Sequence, residues 1–276
     1  MSQPPPRVRI RPSRGWPTIS LSELWEFRDL LIVLGGRDIK LRYKQTALGV
    51  AWVIFQPLLA AGIFSVVFGA IANLPSDGTP YFVFSYAGLL AWNTFSSTLT
   101  KASGSMLGNS HLISKVYFPR IILPLSTAFS TFIDFGIAVI LMAVLMAIHQ
   151  IGPHAGLILL PIWLLLLMVM AFGLGTFAGA LAVSYRDVQH ILPVLIPFLM
   201  YASPVAYAVS VVPERFRALY WLNPLTGLLE GFRWSLLGRG ALQFRYVAYS
   251  ATVSVGLCIA GVAFFQAMER RFADVI

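Results

Sequence analysis

Asp134 is the residue in this chain whose setting first suggests chemistry. It is the only charged side chain in the run from Ile121 to Ile148. It follows Arg120 by 14 residues, about 21 Å along a helix, which puts it well inside a bilayer. An acid at that depth is a functional suspect by default. A single acid beside Ser130 and Thr131 suits a hydrogen bond to a neighbouring helix better, and both readings stay open. An ion-coupled carrier would want several such groups, usually on broken helices in matching halves.

Other chemistries find no footing. Phosphate cradling by a P-loop needs a glycine-rich turn ending in Gly-Lys, but the lysines are Lys40, Lys44, Lys101 and Lys115 and none follows glycine. Any ATP is therefore handled elsewhere. His111, His149, His154 and His190 are scattered over loops and ends, so neither a metal site nor a catalytic constellation is expected. Glu214 and Glu230 stand among Arg215, Arg217 and Arg233, which suits ion pairing better than catalysis. Cys258 is the single cysteine and has no partner for an intrachain disulfide.

Of the 276 residues, 58% are hydrophobic and 11% charged, with a mean hydropathy of +0.77. Soluble domains carry roughly 25% charged residues, so the chain belongs in a membrane. Its net charge of +9 does not point to nucleic acid, because the charges cluster. Nine of the twenty Lys and Arg precede Gln45, as befits the anionic inner face of a membrane.

Crossing about 30 Å of hydrocarbon takes roughly 20 helical residues. Six stretches qualify, at about 47–72, 80–100, 121–148, 156–184, 191–209 and 246–266. The fifth is broken by Pro193, Pro197 and Pro204. All are read as helices, since lipid leaves an open sheet edge unpaired. With both termini inside, the cytoplasmic segments hold fifteen basic residues, among them Lys101, Lys115 and Arg120, and the external ones five. This matches the positive-inside rule. No cleavable signal pattern is visible, so the first span is expected to target the chain.

The flanking segments have their own patterns. Residues 1–19 read as a Pro- and Arg-rich arm, either a solvated tail or a contact for anionic lipid; 20–276 read as a single transmembrane domain. Ser20 and Glu23 form a capping-box pattern, with Leu24, Phe27, Leu31 and Leu34 at helical spacing before Gly35 and Gly36. This predicts a short amphipathic helix in the inner interface, ended by the glycines. The stretch 101–120 predicts a cytoplasmic loop with a short helix. From 211 to 245 two amphipathic stretches flank Asn223-Pro224, which predicts a re-entrant pair sheltered by protein or a watery cavity. Of the 37 aromatic residues, most should serve core and interface. The lesser reading of an inventory that includes Trp52, Phe55, Phe82, Phe84, Tyr86, Trp92, Phe95, Phe198, Tyr201 and Tyr207 is that aromatic faces line a passage for sugar rings, whose C–H faces suit aromatic planes.

Five segments carry a family resemblance: RDIKLRYKQTALGVAWVIFQPLL (37–59), YAGLLAWNTFSSTL (86–99), NSHLISKVYFPRIILPLS (109–126), VSYRDVQHILP (183–193) and NPLTGLLEGFRWSLLG (223–238). In this order and spacing they resemble the membrane permease of bacterial ABC exporters for O-antigen, capsular or teichoic-acid polysaccharides, of the ABC type-two class. The likeness covers nearly the whole chain apart from the basic arm.

The resemblance implies a homodimer in the bacterial inner membrane. It also implies two cytoplasmic ATPase subunits that hold ATP and Mg, and a lipid-linked glycan as cargo. Contact with the ATPase would fall to the interfacial helix, to Arg37 and Arg42 that follow it, and to a coupling helix over Asn109, His111, Leu112, Ile113, Lys115 and Tyr117. An external gate would include Glu214, Arg215, Tyr220, Trp221, Glu230 and Arg233. Trp52, Phe55, Phe198 and Tyr201, on the first and fifth spans, would be the first guess for the glycan path. Export of a drug or another lipid, a lipid-processing enzyme and an ion-coupled carrier or channel are the alternatives.

Overall fold

Across hydrocarbon a helix satisfies its own backbone hydrogen bonds, and every regular element among the described residues is helical. The computed structural model describes residues 21–44, 49–113, 115–240 and 242–275, the side chains of 21, 41–44, 49–50, 270–271 and 273–275 excepted. The N-terminal arm lies outside the described residues.

The chain begins with α1 (Leu21–Glu26) and α2 (Arg28–Lys44). The expected stop at Gly35 and Gly36 is corrected: α2 runs through both. Here glycine serves close approach instead, since a Cβ on Gly35 would meet the Phe129 ring at 2.9 Å. α3 (Gly49–Phe64) passes into a π-helical stretch, Ser65–Ile71. α4 (Tyr81–Gly108) is 28 residues long, so the helix expected to stop near residue 100 continues and Lys101 lies inside it rather than in a loop. After Asn109 the predicted coupling helix shrinks to one turn, α5 (Ser110–Ile113), with coil beyond it.

α6 (Ile122–Ile148) and α7 (Leu160–Ser184) follow, the latter preceded by a 3-10 turn, Ala155–Leu159. α8 (Val188–Tyr201) has 14 residues and ends short of the predicted 209, because the chain turns after Ala202. α9 (Glu214–Leu222) and α10 (Pro224–Leu237) meet at Asn223, whose Oδ1 caps α10 by accepting from the Leu225 amide at 3.0 Å. The Asn223-Pro224 pair thus supplies both an N-cap and an N1 proline. α11 (Phe244–Val275) closes the chain.

Among the described residues, four helical stretches are long and apolar enough to cross a membrane: Ala51–Ile71, Ile122–Ile148, Ala155–Ser184 and Phe244–Glu269. α4 has the length without the uniform apolarity, and its position accounts for this. It packs against α3, α6, α7 and α10, with Phe84, Tyr86 and Phe95 fully buried. A helix shielded by neighbours is free of the hydropathy demanded of a lipid-facing one. The main core forms around it, with Leu167 of α7 and Leu225, Leu228 and Phe232 of α10. A second cluster at the Gly108 end, called the lower end below, joins Leu34, Met106, Phe118, Ile122, Phe265 and Phe272. Small residues set the spacing: a Cβ on Gly175 would meet Ala102 Cβ of α4 at 2.7 Å, the close approach expected of membrane helices.

Candidate functional site

A helix repeats a face every three to four residues. On the lower half of α4, Asn93, Ser96, Ser97, Thr100, Lys101 and Gly104 follow that interval, and together they form one wall of a cavity of about 800 Å³. Ser103 of α4, Val53, Gln56 and Pro57 of α3, Asp134 of α6, Ala182 of α7, and Gln189, Leu192, Pro193, Ile196 and Pro197 of α8 complete the lining. Its volume falls in the roughly 300–1,000 Å³ range of small-molecule sites. No aromatic residue lines it among those described.

At the edge of this cavity the two residues of opposite charge meet. Lys101 Nζ donates to Asp134 Oδ2 at 3.0 Å and to Ser130 Oγ at 2.9 Å, with Thr131 Oγ1 at 3.4 Å. The intramembrane acid is therefore half of an α4–α6 ion pair. Reading Lys101 as a loop residue hid that partner. The polar stripe is legible in the residues too, as an i, i+3, i+4, i+7, i+8 recurrence of Asn93, Ser96, Ser97, Thr100 and Lys101.

None of the aromatics expected along a glycan path is among the residues lining this cavity. Trp92 is buried in the core. Trp52, Phe55, Phe198 and Tyr201 project from α3 and α8, with Trp52 57% and Phe198 68% exposed. The Trp52 and Phe55 rings are 6.0 Å apart.

At the lower end, Arg37 bonds its neighbour Asp38 at 2.9 Å and donates to Asn109 Oδ1 at 2.7 Å. Asn109 in turn donates to the Ser105 carbonyl at 2.8 Å. Two residues predicted to act together, 72 positions apart, thus tie α2 to the end of α4. Leu112 and Ile113 pack partly on the lower core, while His111, Lys115 and Tyr117 are exposed. Arg42 lies on α2 with its side chain outside the described residues.

The upper end, where α4 begins at Tyr81, is held differently. Arg233 on α10 is 3% exposed. Its Nη1 donates to Glu230 at 2.9 Å and its Nη2 to the carbonyls of Pro204 and, at 3.2 Å, Val205. Its guanidinium also sits 4.1 Å from the centroid of the Phe84 ring, a cation–π arrangement. Burial pushes the Glu230 carboxyl up, and the Arg233 charge opposes that shift. Gly88 completes the packing, since a Cβ there would collide with the Val205 carbonyl.

Nearby, Trp221 stacks on Tyr246 with centroids 4.1 Å apart, and the Tyr207 and Tyr220 hydroxyls bond each other. Burial raises the Tyr220 hydroxyl, aided by that bond. Glu214 and Arg217 form a loose, exposed pair at 3.9 Å, and Arg215 lies over Phe216. Of the residues predicted for this end, Tyr220, Trp221, Glu230 and Arg233 are embedded in packing, whereas Glu214 and Arg215 face outward. No group of three or more His, Cys, Asp or Glu suited to hold a metal comes together among the described residues.

Comparison with known proteins gives these features a setting. A family model described as ABC-2 type transporter matches residues 29–237. The chain is 27% identical over 249 residues to the O-antigen export system permease protein RfbA of Klebsiella pneumoniae, spanning 90% of this chain and 95% of that protein. With the protein of the same name from Myxococcus xanthus it shares 29% identity over 256 residues, 92% of this chain and 98% of that one. The polysialic acid transport protein KpsM of Escherichia coli is 22% identical over 245 residues, covering 85% and 91% of the two chains.

Proposed function

This chain belongs to the ABC-2 type transporter family, and from that premise we propose that it is the membrane permease subunit of an ATP-driven exporter that moves lipid-linked polysaccharide outward across the bacterial inner membrane. The observation that carries the reading is the length of the likeness: permeases named for O-antigen export match 90% or more of the chain. A transport rather than enzymatic role agrees with the family and with the missing P-loop.

The finer reading is a six-span protein with both termini cytoplasmic. The four apolar stretches are joined by α4, whose polar stripe borders the cavity, and by α8 with the residues that follow it to 209. Two copies of the chain pair with two ATPase subunits that bind ATP and Mg, so the permease needs no nucleotide site of its own. α2, with Arg37 and Arg42, and the turn from Asn109 to Tyr117 meet the ATPase. The Arg37–Asn109 bond supports a joint surface there. α9 and α10 form the re-entrant external gate, with Glu214, Arg215, Tyr220, Trp221, Glu230 and Arg233. The exposed Trp52, Phe55, Phe198 and Tyr201 face the second copy and border the glycan path, and Trp92 supports it from the core.

Gentle purification from native membranes tests this reading. An equimolar ATPase with bound glycolipid is the expected result. Absence of an ATPase under several mild conditions overturns the exporter class, and a bound drug or other lipid in place of glycolipid overturns the polysaccharide cargo.

A further inference from the structure

Resting on that export reading, we propose that the cavity beside α4 is a binding site for neutral, hydroxyl-rich sugar units within each copy of the chain, apart from the aromatic faces of α3 and α8. Its lining presents what sugar hydroxyls need, which is donors and acceptors in alternation. Asn93, Gln56 and Gln189 each carry an amide that does both, and Ser96, Ser97 and Thr100 add hydroxyls. All sit on helices in a bilayer-sized bundle, where polar groups exposed to lipid would be strongly disfavoured. A water-filled or ligand-filled space answers that constraint.

The prolines strengthen the case. Proline lacks an amide hydrogen, so the carbonyl four residues earlier loses its helical donor. Pro57 releases Val53, Pro193 releases Gln189, and Pro197 releases Pro193. Each proline and each released carbonyl belongs to a residue lining this one cavity. Three acceptors are thus freed where a hydroxyl could reach them.

Charge decides which part of a lipid-linked glycan fits. Lys101 is the one cation among the described lining residues, and Asp134 the one anion. An ammonium has three donors, and Ser130, Asp134 and the more distant Thr131 receive them. A phosphate or diphosphate would have to strip Lys101 from α6 and leave Asp134 beside a second anion. A neutral sugar leaves the pair intact and bonds around it. Lys101 and Asp134 are accordingly positioning residues that hold the α4 wall to α6.

The test uses the full chain with its ATPase subunit and Cys258→Ala as background. Ser97→Cys and, independently, Thr100→Cys are labelled with a hydrophilic maleimide in inside-out vesicles from cells that make the lipid-linked glycan or are blocked in its synthesis. Both positions should label without glycan and about tenfold more slowly with it, as for a site filled about nine-tenths of the time. Equal rates in the two membranes, with export intact, overturn the site. So does failure of both positions to label in either membrane. Protection of Trp52→Cys without protection of Ser97→Cys or Thr100→Cys also overturns it, moving the glycan to the α3 face. Failure of the underlying reading has a separate signature: deleting the chain leaves surface polysaccharide unchanged.

Discussion

Two ion pairs of nearly equal length sit toward opposite ends of α4, and their surroundings make them different devices. Arg233–Glu230 spans 2.9 Å within α10, with side chains 4% and 25% exposed. Lys101–Asp134 spans 3.0 Å between two helices, 24% and 16% exposed, at the edge of a cavity. The planar fork of arginine reaches a carboxylate and two backbone carbonyls at once. The lysine point charge gathers one small polar patch on α6. Distance alone cannot rank two salt bridges. What each would leave unpaired on removal can.

Arg233→Ala is the harshest way to break this contrast. It strands Glu230 and two buried carbonyls, at a cost of about 3–5 kcal/mol. Thermal unfolding of the purified protein should show a large drop in Tm, and Arg233→Lys should not restore it. A wild-type Tm in Arg233→Ala would make the upper pair as dispensable as a surface one.

The lower pair should respond by about 0.5–3 kcal/mol of coupling in a double-mutant cycle. Lys101→Met is expected to destabilise more than Lys101→Met with Asp134→Asn, since the double variant also removes the carboxylate charge that Lys101 faces. Asp134→Asn alone keeps an oxygen for Lys101, so export should stay near wild type. Complete loss of export in that folded variant would show that the carboxylate charge itself acts in transport.

Smaller effects sharpen the comparison. Asn109→Ala removes the acceptor for Arg37 and about 1 kcal/mol; Tm should barely move, while the fraction of ATPase co-purifying with the chain falls. Unchanged ATPase recovery and export would remove Asn109 from the docking surface. Trp52→Ala touches no core, so stability should stay within about 0.5 kcal/mol. Export measured as surface glycan should nevertheless slow, and normal flux would take Trp52 off the path.

Much of the helix frame was legible in the residues. The run from Ile121 to Ile148 predicts α6 to within one residue, because a lipid-length apolar stretch between polar turns has few alternatives. Asn223-Pro224 announced the α9–α10 junction for a similar local reason. Lys101 misled, since a lone lysine ends an apolar run on any hydropathy scale, yet inside a bundle Asp134 supplies the charge that water would have supplied. Gly35 and Gly36 also misled, because a glycine that stops a helix and one that admits a neighbouring ring look alike until Phe129 is in place. Pairings such as Arg233 with the Pro204 carbonyl depend on the turn after α8, which no local pattern encodes.

The π-helical stretch after α3 has a consequence for how this protein tolerates change. Ala72 donates to Val67, five residues back, at 3.0 Å, so the hydrogen bond reaches one residue further than in an α-helix. Side chains beyond Phe64 are rotated out of the frame that the preceding helix sets. Removing one residue between Ser65 and Ile71 would let the strand of hydrogen bonds relax to ordinary α spacing with the loop to Tyr81 taking up the difference. Natural variation in chain length should therefore collect at this point sooner than anywhere in α4, where a single deletion would turn the whole polar stripe away from its cavity.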